Sequence, residues 1–118
     1  MEPKEFDFQF PRGDTCPLEF RISDSAGNFL LPKEGDELSF TLKNNFKTKD
    51  AILQKKFSQG DFAIEDEIIR FYLYHEDTAN LKYGIYYYDI QLESGDYVKT
   101  ILKGSIELTE EATWLENE

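Results

Sequence analysis

The chain has 118 residues, with 24 acidic and 13 basic side chains, a formal net charge of −11, and 40% hydrophobic and 15% aromatic content. That composition describes one ordered globular domain, long enough to bury roughly two thirds of its unfolded surface without staples. Its acidity argues against a nucleic-acid backbone or an anionic membrane as partner, since both are bound through clustered Lys and Arg.

Period-two alternation of apolar and polar residues, the mark of half-buried strands, runs through most of the chain. Phe6, Phe8 and Phe10 share one face of the first predicted strand, which gives way at "PRGD" (11–14). This stretch contains Arg12-Gly13-Asp14, the tripeptide of cell-adhesion ligands. Pro11 fixes φ, Gly13 permits a left-handed turn, and Asp14 can bond backbone ahead of Thr15, so the triplet reads as a turn between strands. Adhesion would also require secretion, and "MEPKEFDFQF" has neither the basic start nor the apolar run of a signal peptide. No apolar stretch approaches the roughly 20 residues of a membrane helix. Cys16 is the single cysteine, which excludes an intramolecular disulfide and reads as a small residue near a strand start.

Leu18, Phe20 and Ile22 line the second predicted strand, and Leu38, Phe40 and Leu42 the third, with "SDSAGN" and "PKEGD" as turn clusters between them. The polar run "AILQKKF" (51–57) reads as an edge strand whose lysines discourage unwanted pairing. Ile69, Phe71 and Leu73 line the fifth strand. A helical turn fits at "HEDTANL" (75–81), with Asp77 or Thr78 as its cap. Tyr86, Tyr88, Ile90 and Leu92 line the sixth strand, and Val98, Leu102, Ile106 and Leu108 the seventh. Together these elements predict an all-β protein: an antiparallel immunoglobulin-like β-sandwich of about seven strands over residues 1–108, followed by an acidic tail at 109–118 carrying Trp114.

One local pattern sharpens this expectation. In "NLKYGIYYYDIQL", Gly84 precedes Tyr86 by two residues at the start of a strand. Immunoglobulin-like sandwiches often hold such a tyrosine at a corner, its hydroxyl bonded to upstream backbone. Tyr86 is therefore expected at the corner and Gly84 in the tight turn before it. Residues 85–108 are expected to form one hairpin turning at Ser94-Gly95-Asp96. Gly13, Asp14, Gly84 and Tyr86 are thus the candidate structural residues.

Catalytic patterns are missing from the sequence. A Ser-His-Asp or Cys-His site must place its base against its nucleophile, and His75 is the only histidine. Structural zinc wants several Cys and His ligands, and no phosphate-cradling glycine pattern occurs. The acidic stretches "DFAIEDE" (61–67), "HED" (75–77) and "SGD" (94–96) lack the alternating spacing that wraps a loop around calcium. Carboxylates paired for glycoside cleavage are no better specified. No catalytic, cofactor-binding or metal-binding residue, no cofactor and no small-molecule substrate is expected. Tyr72, Tyr74 and Tyr87 alternate onto outward faces. They are a candidate interface for protein or for sugar rings, or a set of cross-strand aromatic pairs.

The chain also resembles a known family. An early R-G-D-T follows the first strand, at Arg12 to Thr15. A D-T-x-x-L segment precedes G-x-Y-x-Y-D-I, at Asp77, Thr78, Leu81, Gly84, Tyr86, Tyr88, Asp89 and Ile90. A K-T-I-x-x-G stretch follows at Lys99, Thr100, Ile101 and Gly104, with a terminal Thr113. These motifs resemble the small β-sandwich structural domain of phages and prophages of Gram-positive bacteria, and the N-terminal domain of siphophage upper baseplate proteins. The resemblance implies a non-enzymatic tail or baseplate component, made in the host cytoplasm and carried in the virion. It implies self-association or other tail and baseplate proteins as partners, and neither nucleic acid nor membrane. The alternative from the residues themselves is a carbohydrate-binding sandwich using the outward tyrosines.

Overall fold

The computed structural model describes residues 4–24 and 26–110; Trp114 and the rest of the expected tail beyond Glu110 lie outside them. Its strands, in chain order, are β1 (Lys4–Glu5), β2 (Phe8–Pro11), β3 (Cys16–Phe20), β4 (Ile22–Ser23), β5 (Phe29–Leu30) and β6 (Glu37–Lys43), then β7 (Leu53–Lys56), β8 (Ala63–Glu65), β9 (Ile68–Leu73), β10 (Gly84–Ser94) and β11 (Tyr97–Thr109). A 3-10 turn at Phe57–Gln59 and a helical turn, α1 (His75–Thr78), complete the described elements.

Two sheets form a mostly antiparallel β-sandwich. The larger runs β1-β11-β10-β6-β7, with β2 also paired to β11; the smaller runs β3-β9-β8, and β4 and β5 make a short hairpin. Leu38, Phe40 and Leu42 of β6 and Tyr86, Tyr88, Ile90 and Leu92 of β10 are buried against Ile69, Phe71 and Leu73 of β9. The Phe40 and Phe71 rings meet across the sandwich at 4.9 Å between centroids. Burying each such side chain is worth about 1.5–3 kcal/mol, and this layer is the main stabilising element. As expected, β7 is an edge strand.

Beyond the break of the second predicted strand at Arg21 into β3 and β4, which lie in different sheets, three features depart from the expected pattern. The first predicted strand is split into β1 and β2, and both pair parallel, not antiparallel, to β11. The split occurs at Phe6–Asp7, where the chain lies over Gly104: a Cβ there would overlap the Phe6 carbonyl. The Tyr88 hydroxyl donates to that carbonyl at 2.6 Å, and the Asp7 carboxylate accepts from the Ser105 N–H at 2.9 Å. Burial, with the Asp7 charge adding, pushes the Tyr88 phenol up to about 12, so it remains a donor.

Second, Val98 does not line the core. The β10–β11 register slips between Ile90, opposite Leu102, and Gln91, opposite Thr100, leaving Ile101 unpaired in a bulge. One extra residue inverts which face each later side chain occupies. Val98 therefore faces water, 58% exposed, while Ile106 and Leu108 beyond the bulge stay buried.

Third, β5 and β8 are strands outside the predicted set. The β8–β9 turn uses Asp66 and Glu67 at φ 51° and 69°, left-handed values that are usually taken by Gly or Asn. The far hairpin turn follows expectation, with Gly95 at φ 61° between Ser94 and Tyr97. The final strand reaches Thr109, one residue past the expected domain limit.

Candidate functional site

The Arg12-Gly13-Asp14 turn is closed by the Asp14 N–H donating to the Pro11 carbonyl at 3.1 Å, with Gly13 at φ 84°. It is the backbone of Asp14 that makes this bond. The turn is docked on α1 and the segment after it. The Gly13 N–H donates to Thr78 Oγ1 at 2.9 Å, and His75 Nδ1 lies 2.6 Å from the Gly13 carbonyl. A carbonyl only accepts, so Nδ1 is the protonated nitrogen. Arg12 donates to the Leu81 carbonyl at 3.3 Å, and its guanidinium lies 4.5 Å from the Tyr83 ring centroid. The arginine of the adhesion-like triplet is thus held by its own chain.

The helical turn is capped differently from expectation. Tyr74 is the N-cap, and Asp77 serves from the third helical position, accepting from the Tyr74 N–H at 2.7 Å. Thr78 is buried, where its hydroxyl meets Gly13. Asp77 also forms an ion pair with Lys55 at 2.8 Å, both side chains nearly buried, with the Lys55 ammonium 5.1 Å from the Tyr74 ring. An inward-pointing charge on β7 blunts that sheet edge. Gly84 adopts φ 138°, and the Tyr86 hydroxyl donates to the Lys82 carbonyl at 2.8 Å. That is the bond a corner tyrosine makes to upstream backbone.

The outward tyrosines are not brought together. Tyr72 and Tyr74 stack on the smaller sheet, ring centroids 5.7 Å apart and planes at 27°. Tyr87 lies on the outer face of the larger sheet, on the other side of the sandwich, beside Phe46. The candidate interface residues thus fall into two groups, Tyr72 with Tyr74 and Tyr87 with Phe46.

Sequence reasoning missed the surface at the far end of the β10–β11 hairpin. There Tyr97 and Val98 are 55% and 58% exposed, and Phe29, at 48%, leads an exposed run through Leu30 and Leu31. The turn that follows this run leads into β6, whose Glu37 pairs with Glu93 beside the hairpin tip. No motif marks these residues, because exposed and buried apolar side chains look alike in a sequence.

Carboxylates hold the turns at the same end. The Asn28 N–H, then Ala26, keep Asp24 below the usual carboxylate range; Lys33 and Ser94 do so for Asp36. Burial pushes Glu37 up, but hydrogen bonds from Ser58 and Leu38 outweigh it. Burial, with Asp14 adding, raises the Cys16 thiol, which disfavours its nucleophilic thiolate form. Among the described residues, no group of three His, Cys, Asp or Glu side chains is placed to hold a metal ion.

No protein-family model and no curated protein matches the chain. Among solved structures it is similar to a family 123 glycoside hydrolase from Clostridium perfringens, at 14% identity and a TM-score of 0.37. The match covers 92% of this chain and 23% of that one, and a likeness at this level carries no functional argument.

Proposed function

We propose that this chain is a non-enzymatic structural module of a phage or prophage, a tail or baseplate component that works by protein–protein assembly. The observation that carries the reading is where the family-like motifs meet. The R-G-D-T turn and the D-T-x-x-L…G-x-Y segment lie more than 60 residues apart in sequence, yet Gly13 bonds Thr78, Arg12 bonds Leu81, and Tyr86 bonds Lys82. These two segments act as one architectural unit, which supports a signature of architecture and not of a reaction.

The exposed apolar end supports assembly as the mode of action. Aromatic residues are enriched at protein interfaces, and Phe29 and Tyr97 stand in water here. The test is co-expression with phage tail and baseplate proteins, chosen from any such genes that flank its own, followed by sedimentation velocity and negative-stain imaging. A defined oligomer or a stoichiometric complex is expected. A monodisperse monomer that joins none of those proteins overturns the reading.

A further inference from the structure

On the outer face of the larger sheet, Tyr87 of β10 stands directly across from Lys43 of β6, and Asp89 directly across from Thr41. Opposed residues project from the same face about 5 Å apart, so these four side chains form a square of mixed chemistry. Phe46, from the loop after β6, closes one side. Its ring centroid lies 5.0 Å from that of Tyr87, with 47° between planes, yet the residue remains 53% exposed. Thr41, Lys43, Phe46, Tyr87, Tyr88 and Asp89 line a shallow cleft of about 40 Å³, open to solvent.

The polar groups in this cleft are positioned without being used up. Gln54 Nε2 donates to Thr41 Oγ1 at 3.2 Å, which leaves the threonine its own proton to donate. Lys43 Nζ donates to the Thr48 carbonyl at 3.0 Å and keeps further N–H donors. Lys103, across β10 on the other side, lies 3.8 Å from Glu5. The Asp89 carboxylate accepts no hydrogen bond from a described residue. Burial raises its carboxyl above the usual range, with the Lys43 charge opposing.

A half-buried acceptor, two donors and an aromatic wall, with one charge of each sign, suit a neutral polyhydroxylated ligand. A cation would meet Lys43, and an anion would meet Asp89. We propose that this cleft binds a sugar ring. Asp89 accepts from ring hydroxyls, Thr41 and Lys43 donate to others, and the C–H face of the ring lies against Phe46 and Tyr87. The cleft itself holds only about 40 Å³, so the ring lies across its mouth, one face on these side chains and the other in water. The site stands independently of the assembly reading.

The experiment is an amide-shift titration of the isotope-labelled full chain with methyl β-D-glucopyranoside, methyl β-D-galactopyranoside, methyl α-L-rhamnopyranoside and N-acetylglucosamine, each repeated with the matching trisaccharide. At least one sugar is expected to give saturable shifts confined to residues 41–46 and 87–89. Tighter binding of its trisaccharide assigns the site to a polysaccharide, and equal binding to a free sugar. Asp89→Asn and Phe46→Ala, both at the surface, are expected to keep a dispersed spectrum and weaken binding by about tenfold or more. Glu107→Gln, on a neighbouring strand, leaves it unchanged. The proposal is overturned if no sugar gives saturable shifts, if the shifts map to Tyr72 and Tyr74, if binding survives Asp89→Asn, or if acetyl-arginine amide binds the same amides more tightly.

Discussion

At one end of the β10–β11 hairpin, Gly13, His75, Thr78, Lys82 and Tyr86 hold their neighbours through hydrogen bonds. At the other, beyond the 11 residues of β10, Tyr97 and Val98 project with more than half of each residue in water. The first end carries the recognisable motifs, and the described partners of its polar side chains lie within the chain. The second carries no motif and leaves apolar surface open. The contrast teaches that a short polar signature points first to how a chain closes on itself. A partner surface is better sought where such signatures are absent.

Substitutions can break or sharpen this contrast. Tyr88→Ala empties a core site shared by both ends and removes the bond to Phe6, so it should cost about 3–5 kcal/mol in a denaturant melt and set the scale. Asp77→Ala strands Lys55 beside the motif-bearing end and should cost about 3 kcal/mol; adding Lys55→Met should recover much of that loss. Tyr86→Phe removes only the corner bond, for about 0.5–1.5 kcal/mol. Val98→Ser at the tip should stay within about 0.5 kcal/mol by the same melts while weakening assembly. Were Val98→Ser to cost more than Tyr86→Phe, the tip would be part of the fold and the contrast would fail.

The smallest expected effect is local. The carboxyls of Asp24, Asp36 and Glu37 titrate lower in the folded chain than their ordinary values of about 4. The stability they contribute is full above those ordinary values and is lost as pH falls through the lower folded ones. Amide exchange in acid should therefore show Asn28, Lys33 and Ser58 losing protection before Gly13 does. Simultaneous loss at both ends would show that acid unfolds the chain as one unit.

Most of the sandwich was legible because β6, β9 and β10 alternate without interruption and their inward residues are all apolar. Tyr86 was legible because a glycine two residues earlier is a local cue. The parallel pairing of β1 and β2 was not, since it depends on Gly104 admitting backbone from nearly 100 residues away. β8 was hidden by a turn built from Asp66 and Glu67, residues that do not advertise positive φ. Neither the exposed far end nor the Asp89 cleft has a linear pattern. The cleft in particular is assembled from two strands and a loop whose residues are each ordinary alone.

The bulge at Ile101 separates two regimes of constraint. From Leu102 onward, β11 is geared to the buried layer, and a change of length there would rotate every inward side chain toward water. Before Ile101, the strand follows its own phase, set by the Gly95 turn. The bulge acts as a clutch: the tip can gain, lose or exchange residues without turning the core. One end of the molecule is therefore free to change while the other stays fixed by its hydrogen bonds.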